Sequence, residues 1–162
     1  MTDREFFLYT VEDELPRFER VFKALPADKL DYTPHPKSKT AGALTGYIAA
    51  ETNTFPVFLT TGSVDMSALG EPAPKTIAES ATIFLQILTD AKQIASGMSE
   101  TDWDSPAKMM AGEKVEWETT KGKMAWSLLL DLIHHRGQLS TYIRPMGGKV
   151  PSIYGPSGDS EG

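Results

Sequence analysis

From Met124 to Arg144 the chain reads MAWSLLLDLIHHRGQLSTYIR, and this stretch limits the fold more than any other. The segment MAWSLLLDLI is nearly all apolar and lacks the polar face that a solvent-facing helix shows. It predicts a central helix with little exposure along that run. Asp131 sits inside it, and an aspartate is rarely fully buried without a partner. His135 follows four residues later on the same helical face. An acid and an imidazole facing one interior cavity could be metal ligands, an acid/base pair or a structural hydrogen bond. His134 lies about 100° around the helix from His135. The two rings can hardly point at one spot, and His135 shares the face of Asp131 more closely.

Three more segments carry helical periodicity. In the first, from Asp3 to Leu25, Phe7, Val11, Leu15, Phe18, Phe22 and Leu25 recur at spacings of three and four. Thr2 and Glu5 have capping-box spacing. Pro16 should kink or split this helix, because proline removes a donor and clashes with the preceding turn. Pro26 ends it. A proline-rich connection leads to a second helix from about Thr40 to Thr60, with Leu44, Ile48, Phe55 and Leu59 as its stripe and Pro56 as a late kink. The loop TGSVDMSALGEPAPK can cross one end of a bundle. Thr76 and Glu79 form a second capping box, and the third helix runs to about Ser96, stopping at Gly97. Residues 98–121 fit a short hairpin or an irregular loop equally well. The fourth helix runs from about Thr120 to Met146, with Gly147 and Gly148 as a C-cap. The tail from about Val150 should pack its apolar part on the body, with the last few residues loose. Four helices with a long second-to-third connection predict one all-α domain over residues 1–162, a four-helix bundle.

Composition narrows the function. Acids number 22 against 16 bases, a net charge of −6, which argues against a nucleic-acid binder. No cysteine is present, so disulfides, zinc-thiolate clusters and a thiol nucleophile are excluded. The N-terminus lacks a signal-peptide core, no apolar run reaches the ~20 residues of a membrane span, and a cytoplasmic location is the default. No Walker loop, GxGxxG or GxSxG motif occurs.

Glu51 and Tyr47 lie four apart at the edge of the second helix's stripe, and each could supply an oxygen to the Asp131–His135 pair. Either could equally be bland, Glu51 as an exposed or salt-bridged acid and Tyr47 as a core ring. Gln138 and Tyr142 continue the fourth helix and could line the mouth of a pocket. Arg136 and Arg144 are expected to tie that helix to its neighbours or to the tail. His35, between two prolines, is expected to be exposed.

At these residues the chain resembles the DinB/YfiT-like superfamily. The likeness is strongest in IHHRGQLSTYIRPMGGKVPSIYGPSGD, extends to AGALTGYIAAETNTF and the "P.PKS" connection, and covers most of the chain. The resemblance implies a four-helix bundle of up-down-down-up course, often a homodimer. It also implies one divalent ion, nickel or zinc, held by three histidines: one on the second helix and an H-x-x-x-H pair on the fourth. Some relatives are thiol-dependent S-transferases or isomerases. This chain departs from that pattern. Tyr47 stands at the second-helix histidine, and Asp131 stands at the first histidine of the pair, or Leu130 if the register shifts by one. With three histidines in all, and His35 in a loop, a three-histidine site cannot form.

The site is therefore either rebuilt with Asp131, His135 and Glu51 as metal ligands or lost. Three functions remain. The first is an enzyme of the metal-dependent S-transferase or hydrolase type, or a metal-free version with His135 as base and Asp131 orienting it. The second is a non-catalytic dimeric bundle that binds a small ligand in the same cavity. In the third, HHRGQ is architectural, setting the dimer or docking the tail.

Overall fold

The computed structural model describes residues 1–68 and 76–159. The middle of the second-to-third connection and the last three residues, expected to be loose, lie outside these. Helix α1 spans Asp3–Ala24 and begins with the expected capping box: Thr2 Oγ1 accepts from Glu5 N–H, and the Glu5 carboxylate accepts from Thr2 N–H. Pro16 does not split it. That residue lies on the exposed face, where water can take the Glu12 carbonyl that proline leaves without a donor.

The expected second helix is two helices, α2 (Ala41–Thr52) and α3 (Thr54–Thr61), joined at Asn53. Pro56 explains the break. It has no N–H for the Thr52 carbonyl four residues back and its ring crowds that carbonyl; here the chain restarts, with Pro56 in the first turn of the new helix, where no such bond is needed. Helix α4 (Ile77–Gly97) opens with the Thr76–Glu79 capping box. A short α5 (Glu100–Trp103) follows, and α6 spans Lys121–Ile143 with Thr120 as its N-cap. Beyond α6, Gly147 takes a positive φ of 89° and the Gly148 N–H bonds to the Ile143 carbonyl, which is the glycine stop expected there.

The all-α expectation needs correction, because a small sheet is present. Strands β1 (Ser63–Asp65), β2 (Pro106–Ala111) and β3 (Lys114–Thr120) pair in that order, β1 parallel to β2 and β2 antiparallel to β3. The β2–β3 hairpin settles the ambiguity of residues 98–121. Ala111 faces Lys114 across a two-residue loop, whose first residue, Gly112, supplies the positive φ such a turn requires.

Helix α1 packs on α4 and α6, and α2 packs on the same two from the other side. Aromatic rings fill the space between: Phe18 lies 4.4 Å from Phe84, and Phe7 lies 5.1 Å from Trp103 and 5.5 Å from Trp126. In α6, Met124, Ala125, Leu128, Leu129, Leu132 and Leu139 are buried. Full burial of the 124–133 run is not found. Ser127 is exposed and Leu130 is 58% exposed, since a helix packed on two neighbours keeps an outer face. Among the described residues no helix is long and apolar enough to cross a membrane.

The start of α6 is held by a close contact. Trp103 and Trp126 both donate their indole N–H to Asp3, at 2.8 and 3.1 Å. Gly122 presses on the buried Trp103 ring so closely that a Cβ there would lie 2.3 Å from its Nε1. Gly122→Ala should therefore push the indole off Asp3 and cost about 1–3 kcal/mol, as overpacking does. Chemical denaturation followed by tryptophan fluorescence measures it, and an unchanged midpoint would show that the ring has room to retreat.

The tail is tied down by arginines, as expected of Arg136 and Arg144. Arg17 and Arg20 donate to the Ile153 and Ser152 carbonyls, and Arg144 donates to Asp159 at 2.7 Å. Beneath the tail lies a buried ion pair between Arg136 of α6 and Glu14 of α1, 2% and 3% exposed. Arg136 also donates to the Tyr154 hydroxyl at 2.6 Å, and its guanidinium sits between the Phe18 and Tyr154 rings.

Candidate metal centre

Helices α2 and α6 pack side by side, and the pairing sets Tyr47 and Glu51 opposite Asp131 and His135. On each helix the two residues are four apart, so all four lie where the facing stripes meet. One ligand atom each from Glu51, Asp131 and His135 lies within 4.8 Å of the others. These are the three residues that the sequence offers as a rebuilt ligand set.

Their environments differ. Glu51 is 5% exposed and its Oε2 has no hydrogen-bond partner. Asp131, expected inside the apolar run, is instead only partly buried, its side chain 45% exposed. The buried acid of the site is therefore Glu51, and its carboxyl is pushed up to about 8. Burial is the main cause; the contact with Asp131 and its charge add to it. Burial also raises the Tyr47 hydroxyl above its ordinary value, helped by the charges of Glu51 and Asp131.

His135 Nε2 lies 3.2 Å from Asp131 Oδ2, and His135 Nδ1 lies 2.9 Å from Gln138 Oε1. The Tyr47 ring meets the imidazole edge-on at 5.0 Å, which fixes the ring plane. Lys39, just before α2, places its ammonium 4.9 Å from the centre of the Tyr47 ring. Sequence reasoning passed over Lys39, because nothing in the proline-rich connection marks it from its neighbour Lys37. His134 is exposed, and His35 lies in its loop away from the site, its Nδ1 accepting from Lys37 N–H. The Tyr142 hydroxyl bonds to the Lys39 carbonyl at 3.3 Å, so it braces the lead into α2.

The donor set suits a divalent cation. Two carboxylates balance its charge, and one imidazole with two oxygens is a mixture that zinc and nickel accept. The buried, unpartnered Glu51 oxygen is what such an ion would satisfy, since an orphaned acceptor of this kind is costly. The three ligand atoms lie within 4.8 Å of one another, slightly wide for one ion, with Asp131 already 3.2 Å from His135.

The model of the DinB family matches residues 1–160. The chain belongs to that family. Its fold is similar to that of a DinB-like protein, YjoA, from Bacillus subtilis, with a TM-score of 0.72 at 16% identity over 93% of this chain and 99% of that one. A DinB-like protein from Bacillus cereus ATCC 10987 is similar as well, with a TM-score of 0.75 at 18% identity over 93% and 97% of the two chains. At these identities the likeness is one of fold. No curated protein matches the chain.

Proposed function

We propose that this DinB-family protein holds one divalent ion, zinc or nickel, through Glu51, Asp131 and His135, and is an enzyme of the thiol S-transferase or hydrolase type. The observation that carries the reading is the buried Glu51 carboxyl with an unpartnered oxygen beside Asp131 and His135. A bound divalent ion would lower the pKa of a water or a substrate thiol and so supply a nucleophile near neutral pH. The protein's own groups do the rest. Glu51, about 8 without metal, would give up its proton to hold the cation. Asp131, its side chain 45% exposed, would use its second oxygen to accept a proton from an incoming water or thiol. Tyr47 keeps its hydroxyl protonated, so it can donate a hydrogen bond to a substrate oxygen. With no cysteine in the chain, any sulfur comes from the substrate.

The same reading takes the family's up-down-down-up helix course, a homodimer and a cytoplasmic setting as part of the proposal. The test is metal content. Untagged protein, stripped with a chelator and then titrated with zinc or nickel, should take up one ion per chain. The His135→Ala and Asp131→Ala variants should lose it. No uptake by the wild type, or uptake unchanged in His135→Ala, would overturn the metal reading and favour the non-catalytic, ligand-binding alternative.

A further inference from the structure

We propose that Gln138 is the positioning residue of this centre: its amide fixes His135 with Nδ1 protonated and Nε2 turned to the two acids, and His134 holds the far end of that amide. The inference rests on the metal reading above and concerns how the imidazole is presented. Three contacts carry it. His135 Nδ1 lies 2.9 Å from Gln138 Oε1, Gln138 Nε2 lies 3.0 Å from His134 Nε2, and His135 Nε2 lies 3.2 Å from Asp131 Oδ2.

The chemistry of each atom sets the direction of the chain. A carbonyl oxygen only accepts, so His135 Nδ1 is the N–H. An amide nitrogen only donates, so His134 Nε2 accepts. In the structure Oε1 faces His135; with the amide turned over both rings would take the other tautomer, with His135 Nε2–H bonded to Asp131, and the nitrogen shifts of the metal-free protein tell the two arrangements apart. The residues are three and four apart on α6, which places all three side chains on one side of the helix. Neighbouring histidines that cannot point at one spot are thus joined through the amide: His135 faces the acids and His134, exposed, orients Gln138.

One consequence follows at Nε2. On a neutral ring with Nδ1–H, Nε2 carries a lone pair facing the Asp131 carboxylate. Two acceptors at that separation attract only when a proton or a cation lies between them. The other tautomer would bond Asp131 directly and would have to be broken to admit a metal. Gln138 holds the ring in the form that admits one, the task that a second hydrogen bond to a ligand histidine performs in metal sites generally.

The experiment compares wild type, Gln138→Ala, Gln138→Glu and His134→Ala at a pH where histidine is neutral. Zinc affinity is read by competition with a chromophoric chelator. The tautomer of His135 is read from its imidazole nitrogen chemical shifts in metal-free protein. Gln138→Ala should weaken zinc binding roughly 10–100-fold and give mixed tautomers while the thermal midpoint stays put. Gln138→Glu should restore both affinity and tautomer, because its carboxylate accepts from the same N–H. His134→Ala should give a smaller loss in the same direction. Metal-free wild type with the His135 proton on Nε2, a Gln138→Ala variant with wild-type affinity and tautomer, or a loss that Gln138→Glu does not rescue, overturns the proposal. If wild type binds no zinc but the chemical shifts change as stated, the metal reading falls and the positioning role stands. If zinc binds and the shifts are indifferent to Gln138, the positioning role falls alone.

Discussion

Arg136→Met is expected to destabilise the fold by about 3 kcal/mol, the low end for removing one partner of a buried ion pair. The cause is Glu14, 3% exposed, which would keep its charge in the interior without its main partner. The cost stays at the low end because Arg17 still donates to the other Glu14 oxygen at 2.8 Å. In a domain of this size that is a fall in Tm of roughly 6–12 °C. The double variant Glu14→Leu/Arg136→Met should recover most of the loss, since an apolar pair of similar volume is often as stable as a buried ion pair. Urea titrations of the two single variants and the double variant give the coupling. A double variant no better than Arg136→Met alone would mean that packing against Phe18 and Tyr154, and not the charge, is what Arg136 provides. Limited proteolysis adds a readout at the tail, which should become easier to cleave once the Tyr154 hydroxyl loses its donor.

Much of the fold was legible because the signals were local. The capping boxes at Thr2 and Thr76, the glycine stop after α6 and the stripes of α1 and α4 all rest on contacts between residues three to five apart. The split at Asn53 was half legible: Pro56 announced a disturbance, but whether the chain bends or restarts depends on how α2 and α3 pack. The sheet was not legible as a whole. Strand β1 has three residues, too few to show a period, and it exists because Val64 finds Met109 some forty residues away.

The candidate site divides the same way. Asp131 and His135 were readable as an i, i+4 pair on one helix. That Glu51 completes the cluster depends on the pairing of α2 with α6, which no spacing along the chain reveals. The expected burial belongs to the other acid: Asp131 sits in the apolar run but at the edge of the α2–α6 seam, only partly buried, while Glu51 is buried in it. Glu14 was missed although a signal existed. It falls between Val11 and Phe18 at steps of three and four, inside the buried stripe, and an acid at such a position asks for a buried cation.

Glu51→Gln should separate stability from metal binding, and in opposite directions. In metal-free protein the folded-state carboxyl is held near 8 against an ordinary value of 4.5. Below the ordinary value the group is protonated in both folded and unfolded chains, and the variant should match wild type. Between the two values the unfolded chain ionises while the folded one keeps its proton. Wild-type stability should therefore fall as pH rises, by up to about 1.4 kcal/mol per unit. Above the folded value the slope should vanish. Glutamine has nothing to ionise, so the metal-free variant should be the more stable protein by pH 8, by an amount that grows across that window. Saturating zinc should narrow that gap: wild type gains about 2.7 kcal/mol at a hundredfold excess over Kd, while the variant, with a weaker oxygen donor and no negative charge, gains far less. Calorimetry near neutral pH in buffers of differing ionisation enthalpy should also show proton release on zinc binding by wild type, with the Glu51 share missing from the variant. Stability curves that run parallel with pH would show that Glu51 is solvated after all. A variant that binds zinc as tightly as wild type would remove Glu51 from the ligand set and leave Asp131 and His135 as a pair.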